Sequence, residues 1–314
     1  MVMFCINVDK LSKSYGSLKA VNEITLSVKS GQVFGFLGPN GAGKSTTIKL
    51  LTTLIQPSGG SLNILGIDAI KNPLQVRNKI GVVLQQPSYE PTLTVEKSLE
   101  KYGMMWNLPK SERKIRTEKL LDEFDLIDIR KKRNEDLSIG QRRRVQVARE
   151  FMHDMDLLFL DEPTVGLDPA ARRKLLDYLK NKVQTGLTIF FTTHILTEAE
   201  YLCDEIAIID KGKIIAVDTP TALKNRFGKE KTIKIHLLKN QQEIKSLLSG
   251  IVDCKIEFNT GTDITIQSTQ SELVLMKILR ILSDNRIDID DLSAVPTNLE
   301  EIFLKMVEEN VSNY

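Results

Sequence analysis

The sequence is short of several things, and each shortage removes a class of protein. Cysteine occurs three times, as Cys5, Cys203 and Cys254, widely separated and without a CxxC pair. Neither a disulfide framework nor a cysteine-held zinc is expected, and a reducing cytosol fits. Charge of one sign is missing as well: 43 basic and 41 acidic side chains leave a net +2. That is no overall basic footprint of the kind that holds a protein on nucleic acid, and no nucleic-acid partner is expected. No uncharged apolar run approaches the roughly 18 residues of a membrane-spanning helix. The richest runs, at 157–160 and 187–191, are strand-sized, so any membrane the protein serves must be crossed by another chain. The first ten residues carry Asp9 and Lys10 where a secretion signal would continue apolar, and they read as a first strand.

What is there is an ordinary globular composition, 41% hydrophobic and 27% charged over 314 residues, long enough for two domains. Flat apolar runs at 32–37, 79–84, 157–161, 187–192 and 205–209 lack period-two alternation. They suit a sheet covered on both faces by helices, the α/β class. Between about 92 and 153 the pattern turns to long charged helices, read as a helical subdomain inserted into the α/β domain. The first domain is expected over 1–228 and a small α+β domain over 229–314. In the latter, strands at 232–237, 254–258, 264–267 and 287–292 and helices at 241–248 and 271–282 give the order β-α-β-β-α-β, a ferredoxin-like unit. A last helix is expected from Thr297, capped with Glu300 and carrying Leu299, Ile302, Phe303, Met306 and Val307 on one face.

Residues 38–46 read Gly38, Pro39, Asn40, Gly41, Ala42, Gly43, Lys44, Ser45, Thr46, the GxxxxGK[ST] pattern between an expected strand at 33–37 and an expected helix at 46–54. Glycine is required because backbone N–H groups must turn inward around phosphate oxygens with no Cβ in the way. Lys44 supplies a cation to the β- and γ-phosphates, and Ser45 offers a hydroxyl to Mg²⁺. The strand at 157–161 delivers Asp161 and then Glu162 at its C-terminal edge, where open α/β sheets place ligands. Asp161 can serve the Mg²⁺ shell. Glu162 can orient or deprotonate an attacking water, which points to hydrolysis rather than binding alone.

Leu137, Ser138, Ile139, Gly140 and Gln141, 20 residues ahead of Asp161, open a helix and resemble the signature sequence of ABC transporter ATPases. The resemblance implies that Ser138 and Gly140 of one subunit contact the γ-phosphate held by the cradle of another, so that ATP joins two copies. Ile139 stands where the family most often has glycine. Other residues fall in the family's order. Tyr15 resembles the aromatic that stacks on adenine, and Gln85 the glutamine that touches Mg²⁺ or water and senses the membrane partner. Gln86 leaves that register open by one. Asp168, after Gly166 and Leu167, resembles the loop crossing the dimer interface, and His194 the switch histidine that meets the γ-phosphate. The run Gln141 to Arg144 and the C-terminal tail resemble the drug-resistance-type ABC-2 exporter ATPases; the arginines equally read as a solvated helix face.

The resemblance therefore implies an ATPase with ATP and Mg²⁺ as cofactors. It implies a homodimer, or a heterodimer with a paralogue, beside a separate transmembrane permease at the cytoplasmic face of the membrane. Two rivals stand. An importer ATPase shares every nucleotide motif. An ABC-type ATPase acting on nucleic acid or ribosomes usually carries two cassettes or long coiled coils, and this chain has one cassette and no sustained heptads.

Overall fold

The structure, a computed structural model, describes residues 3–86, 88–227, 231–239, 244–252, 254–260, 262–268, 270–295, 299–300, 302–303 and 306. The chain divides into two compact units, Met1–Asp218 and Thr219–Tyr314.

The first unit holds two sheets. One is antiparallel, made of β1 (Phe4–Tyr15), β2 (Leu18–Lys29), β4 (Gly59–Ile64) and β5 (Ile67–Asp68) in the order β2-β1-β4-β5. Of these the sequence reading anticipated only the start of β1, because these strands lack the flat apolar runs that mark doubly covered strands. The other sheet comprises β3 (Val33–Leu37), β6 (Ile80–Val83), β7 (Leu157–Asp161), β8 (Thr188–Thr193), β9 (Glu205–Asp210) and β10 (Lys213–Asp218), ordered β10-β9-β3-β8-β7-β6. All neighbours run parallel except the β9–β10 hairpin. Every residue of β3, β7 and β8 is buried. The rings of Phe34, Phe36 and Phe159 each lie 5.4–5.7 Å from that of Phe190. Burying aromatics from three adjacent strands on one sheet face fixes their register, because a one-residue slip would turn each ring to the opposite face.

Helices flank this sheet: α1 (Lys44–Leu51), α2 (Pro73–Arg77), α3 (Val95–Met105), α4 (Lys110–Glu123), α5 (Ile139–Glu150), α6 (Pro169–Gln184) and α7 (Leu196–Leu202). Among the described residues between 92 and 153 the only β pairing is an isolated bridge, Thr94 to Arg133. Helix α1 begins two residues before the expected 46 because Gly43, at φ 108°, caps it. It stops at Leu51, with Thr53 following at φ 59°. None of the helices among the described residues is long and apolar enough to cross a membrane, and the three cysteines form no disulfide.

The second unit opens with α8 (Pro220–Phe227). It then runs β11 (Lys231–Leu237), α9 (Ile244–Leu248), β12 (Lys255–Phe258), β13 (Asp263–Ser268), α10 (Ser271–Asp284) and β14 (Ile289–Val295). The sheet is antiparallel throughout, ordered β12-β13-β11-β14. Its last strand starts two residues after the expected 287, because the Ile287 N–H closes the end of α10 on the Leu282 carbonyl and Arg286 turns at φ 54°. Leu299, Ile302 and Met306 of the expected last helix are buried; Thr297 and Val307 lie outside the described residues.

Candidate functional site

The Gly-rich loop leaves the C-terminal end of β3, one of the two middle strands of the six-stranded sheet, and enters α1. Two of its glycines are sterically required. A Cβ on Gly38 would stand 2.3 Å from the Ile209 carbonyl oxygen, and one on Gly43 would stand 2.4 Å from that of Ala20. Asn40, Gly41 and Ala42 form the turn, closed by the Ala42 N–H donating to Pro39 O at 3.2 Å. Lys44 is buried, and its ammonium donates to the carbonyls of Gly38 (2.7 Å) and Pro39 (3.2 Å). Burial holds its pKa below the usual lysine range, while the carboxylates of Glu162 and Asp161 act in the opposite direction. Ser45 and Thr46 follow on the first turn of α1, partly exposed.

Asp161 closes β7. One of its carboxylate oxygens accepts from the Thr192 hydroxyl at 2.6 Å. Glu162 follows at φ 49°, a left-handed conformation costing a non-glycine residue about 1–2 kcal/mol. Its backbone is held there: the N–H donates to the Thr192 carbonyl and hydroxyl, both at 3.1 Å, and the carbonyl accepts from Arg143 at 2.7 Å. The side chain meets two partners delivered by the neighbouring strands. The Gln85 amide, just past β6, donates to Oε2 at 3.1 Å, and Nδ1 of His194, just past β8, lies 3.3 Å from Oε1. Of the adjacent glutamines it is Gln85 whose side chain reaches Glu162. Three strand ends thus converge on one carboxylate next to the glycine loop, an arrangement able to fix a water beside a bound triphosphate.

A second cluster forms around the start of α5. Ser138 caps the helix, its hydroxyl accepting from Gln141 N–H (3.2 Å) while Gln141 Oε1 accepts from Ser138 N–H (3.0 Å), a reciprocal capping box. A Cβ on Gly140 would lie 2.7 Å from Gly166 O, and one on Gly166, at φ 80°, 2.6 Å from the Ile139 side chain. Ile139 itself is 64% exposed. Asp168 caps α6, accepting from Ala170 and Ala171 N–H, which hold its carboxyl below the usual range. No hydrogen bond or ion pair among the described residues joins Ser138, Gly140, Gln141 or Asp168 to the glycine loop. Tyr15, at the end of β1, is half exposed, with Lys13 Nζ 5.3 Å from its ring centre.

The arginine run after Gln141 is not a solvated face. Arg142 reaches the Tyr89 hydroxyl (3.4 Å), and Arg144 the carbonyls of Phe124 and Asp125 (3.1 and 3.0 Å). Arg143 is buried against the strand ends just described. Sequence reasoning also passed over Glu198, whose buried Oε2 accepts from Thr164 (3.0 Å) and Thr193 (2.8 Å) while Arg172 lies 3.3 Å from its other oxygen. An acid four residues after His194 on a helix was the only available signal.

The oxygen donors here suit magnesium, which takes one or two carboxylates together with phosphates rather than an all-protein cage. Ser45 offers a hydroxyl, Asp161 its second oxygen and Gln85 an amide oxygen, the amide nitrogen being turned to Glu162. Among the described residues no cluster of three or more His, Cys, Asp or Glu is arranged to hold a metal by itself.

Known proteins resemble this chain in sequence and fold. The family model described as "ABC transporter" matches residues 21–165, and one for an "AAA domain, putative AbiEii toxin, Type IV TA system" matches 133–199. The linearmycin resistance ATP-binding protein LnrL of Bacillus subtilis is 34% identical over 304 residues, covering 96% of this chain and 97% of that protein. The daunorubicin/doxorubicin resistance ATP-binding protein DrrA of Streptomyces peucetius is 35% identical over 302 residues, covering 96% and 92%. Among solved structures, an ATP-binding subunit of an ABC transporter matches with a TM-score of 0.66 at 31% identity, over 71% of this chain and 93% of that one. A dimeric post-hydrolysis ATP-binding cassette bound to ADP and Pi matches with a TM-score of 0.64 at 25% identity, over 68% and 98%.

Proposed function

The chain belongs to the ABC transporter family of ATP-binding proteins, and from that premise we propose that it is the ATP-hydrolysing motor of a drug-exporting ABC-2-type transporter, acting on a separate transmembrane permease. Full-length likeness to antibiotic-resistance proteins favours export over import or a nucleic-acid role. The observation that carries the hydrolytic reading is the convergence of Gln85 and His194 on Glu162 beside the glycine loop.

In this reading the N–H groups of residues 38–46, with the N-terminus of α1, cradle the phosphates. Lys44 exchanges the Gly38 and Pro39 carbonyls for β- and γ-phosphate oxygens. Tyr15 stacks on the adenine. Glu162 orients the attacking water and takes up its proton, His194 hydrogen-bonds the γ-phosphate, and Gln85 steadies the carboxylate. Ser45, Asp161 and Gln85 would hold Mg²⁺, which supplies charge neutralisation at the β- and γ-oxygens when bound. Ser138, Gly140 and Gln141 of a second copy close over the same γ-phosphate, with Asp168 anchoring the loop that lies between copies. The dimer is of two identical chains or of this chain with a paralogue, at the cytoplasmic face of the membrane.

The ATPase part is read as 1–228, its helical subdomain as about 92–153, and the accessory part as 229–314. The antiparallel order β12-β13-β11-β14 supports a ferredoxin-like reading for the last. A groove of about 320 Å³ between β6 and the helical subdomain, lined by Leu54, Val82, Leu84, Tyr102 and Trp106, supports docking of a permease helix at the surface following Gln85, near residues 86–107.

Glu162→Gln tests the reading. ATP binding should persist, turnover should fall by about 10³-fold or more, and an ATP-bound dimer should accumulate in size-exclusion chromatography. Ordinary turnover in that variant removes the assignment of the base.

A further inference from the structure

Five N–H donors make up a guanidinium, and every one of Arg143's has an acceptor. Nε donates to Pro163 O (3.1 Å). Nη1 donates to Leu84 O (2.7 Å) and Gln146 Oε1 (2.8 Å). Nη2 donates to Asp161 O (2.6 Å) and Glu162 O (2.7 Å). Four of these acceptors are main-chain carbonyls. Three belong to consecutive residues around the water-activating carboxylate, and the fourth precedes Gln85. The group is 6% exposed. Burial lowers its pKa to about 10, against the pull of Asp161 and Glu162, so it stays charged at neutral pH.

Carbonyls leaving the end of a strand have no ladder partner ahead of them, and buried ones must find a donor elsewhere. Here a single planar side chain supplies it to two adjacent strand ends at once. At Glu162 the same contact adds to the Thr192 bonds that restrain a residue held at positive φ. Arg143 reaches this place because it lies on the buried face of α5, five residues after the capping Ser138.

We propose that Arg143 is a positioning residue for ATP hydrolysis: its guanidinium fixes the main chain of Glu162 and of the residue before Gln85, and ties both to the helix that Ser138 caps. It touches neither nucleotide nor water and acts through Glu162 and Gln85. The inference rests on the reading of Glu162 as the base. It places no demand on the glycine loop, so nucleotide affinity and turnover should separate.

The experiment uses the full chain with Arg143→Met, Arg143→Lys and Arg143→Gln, and Glu162→Gln alongside. Competent sites are counted by titration with a fluorescent ATP analogue, and turnover is expressed per competent site. Arg143→Met should bind ATP within about threefold of the parent while kcat per site falls about 10- to 100-fold, with Lys and Gln between. Should the Met variant fail to fold, the Lys variant carries the same test, since an ammonium can serve only part of the carbonyl set. A merely structural role would lower the number of competent sites and leave kcat per site unchanged, and that result overturns the proposal. Loss of affinity in step with turnover overturns it as well. If Glu162→Gln is inactive and the Arg143 variants are normal, only this inference falls; if Glu162→Gln turns over normally, the base assignment falls and takes the inference with it.

Discussion

At the scale of single residues, the glycine loop separates two reasons for glycine. Gly41, at φ 82°, has open space around a would-be Cβ, whereas Gly43, at φ 108°, would drive one to 2.4 Å from the Ala20 carbonyl. Gly41→Ala therefore meets only backbone strain, about 1–3 kcal/mol. Gly43→Ala adds a clash with a neighbouring strand that cannot move freely. Fluorescent-nucleotide titration should find Gly43→Ala weakened well beyond Gly41→Ala, with Lys44→Ala losing the phosphate contribution altogether. Equal affinities for the two alanine variants would mean that the loop re-forms around its ligand. Ile139 illustrates the converse relation: its branched side chain fits because position 166 has no Cβ to meet it.

At the scale of elements, α5 connects two sites. Its N-terminus carries the capping box and its C-terminal turn carries Glu150, buried where α3, α5 and β6 meet. Glu150 accepts from the Tyr102 hydroxyl at 2.9 and 3.0 Å and from the Val82 N–H at 3.2 Å. Burial raises its pKa above the ordinary 4.5, with Arg149 opposing. The folded chain thus binds this proton more tightly than the unfolded chain. The associated stability is full below about pH 4.5 and falls as pH rises toward the folded value. Glu150→Gln keeps an acceptor for Tyr102 and Val82 and removes the titration. Its melting temperature relative to the parent should climb as the pH rises above about 4.5, as measured by circular dichroism. A pH-independent difference would show that Arg149 compensates the burial fully. Because Val82 lies on β6 three residues before Gln85, the same contact links the proposed docking groove to the strand that leads into Gln85.

At the scale of the whole molecule, the two units have separate apolar cores, one built around Phe34, Phe36, Phe159 and Phe190 and the other around Ile233, Ile235, Ile266 and Ile278. Calorimetry should resolve two transitions. ATP at a hundredfold excess over Kd adds about 2.7 kcal/mol to whatever binds it. In a unit of 218 residues that raises the melting temperature by about 5–10 °C. Only one transition should move. A single transition rising as a whole would show that the second unit unfolds with the first.

The sequence by itself determined the chemistry and its order along the chain. A glycine loop between strand and helix, two acids at a strand end and a serine-led helix start are local patterns whose spacing reflects backbone geometry. Flat apolar runs revealed the parallel strands because burial on both faces leaves no polar alternation. What only the tertiary structure decided depends on residues distant in sequence. The antiparallel sheet of β1, β2, β4 and β5 escaped because its strands lack flat apolar runs, although Ile24, Leu26 and Val28 alternate with exposed residues along β2, the pattern of a strand buried on one face. Which of Gln85 and Gln86 meets Glu162 depends on the end of β6 lying beside that of β7. An arginine run reads as solvated until α5 turns Arg143 inward, where four carbonyls from two strand ends need the donors that only folding brings to them.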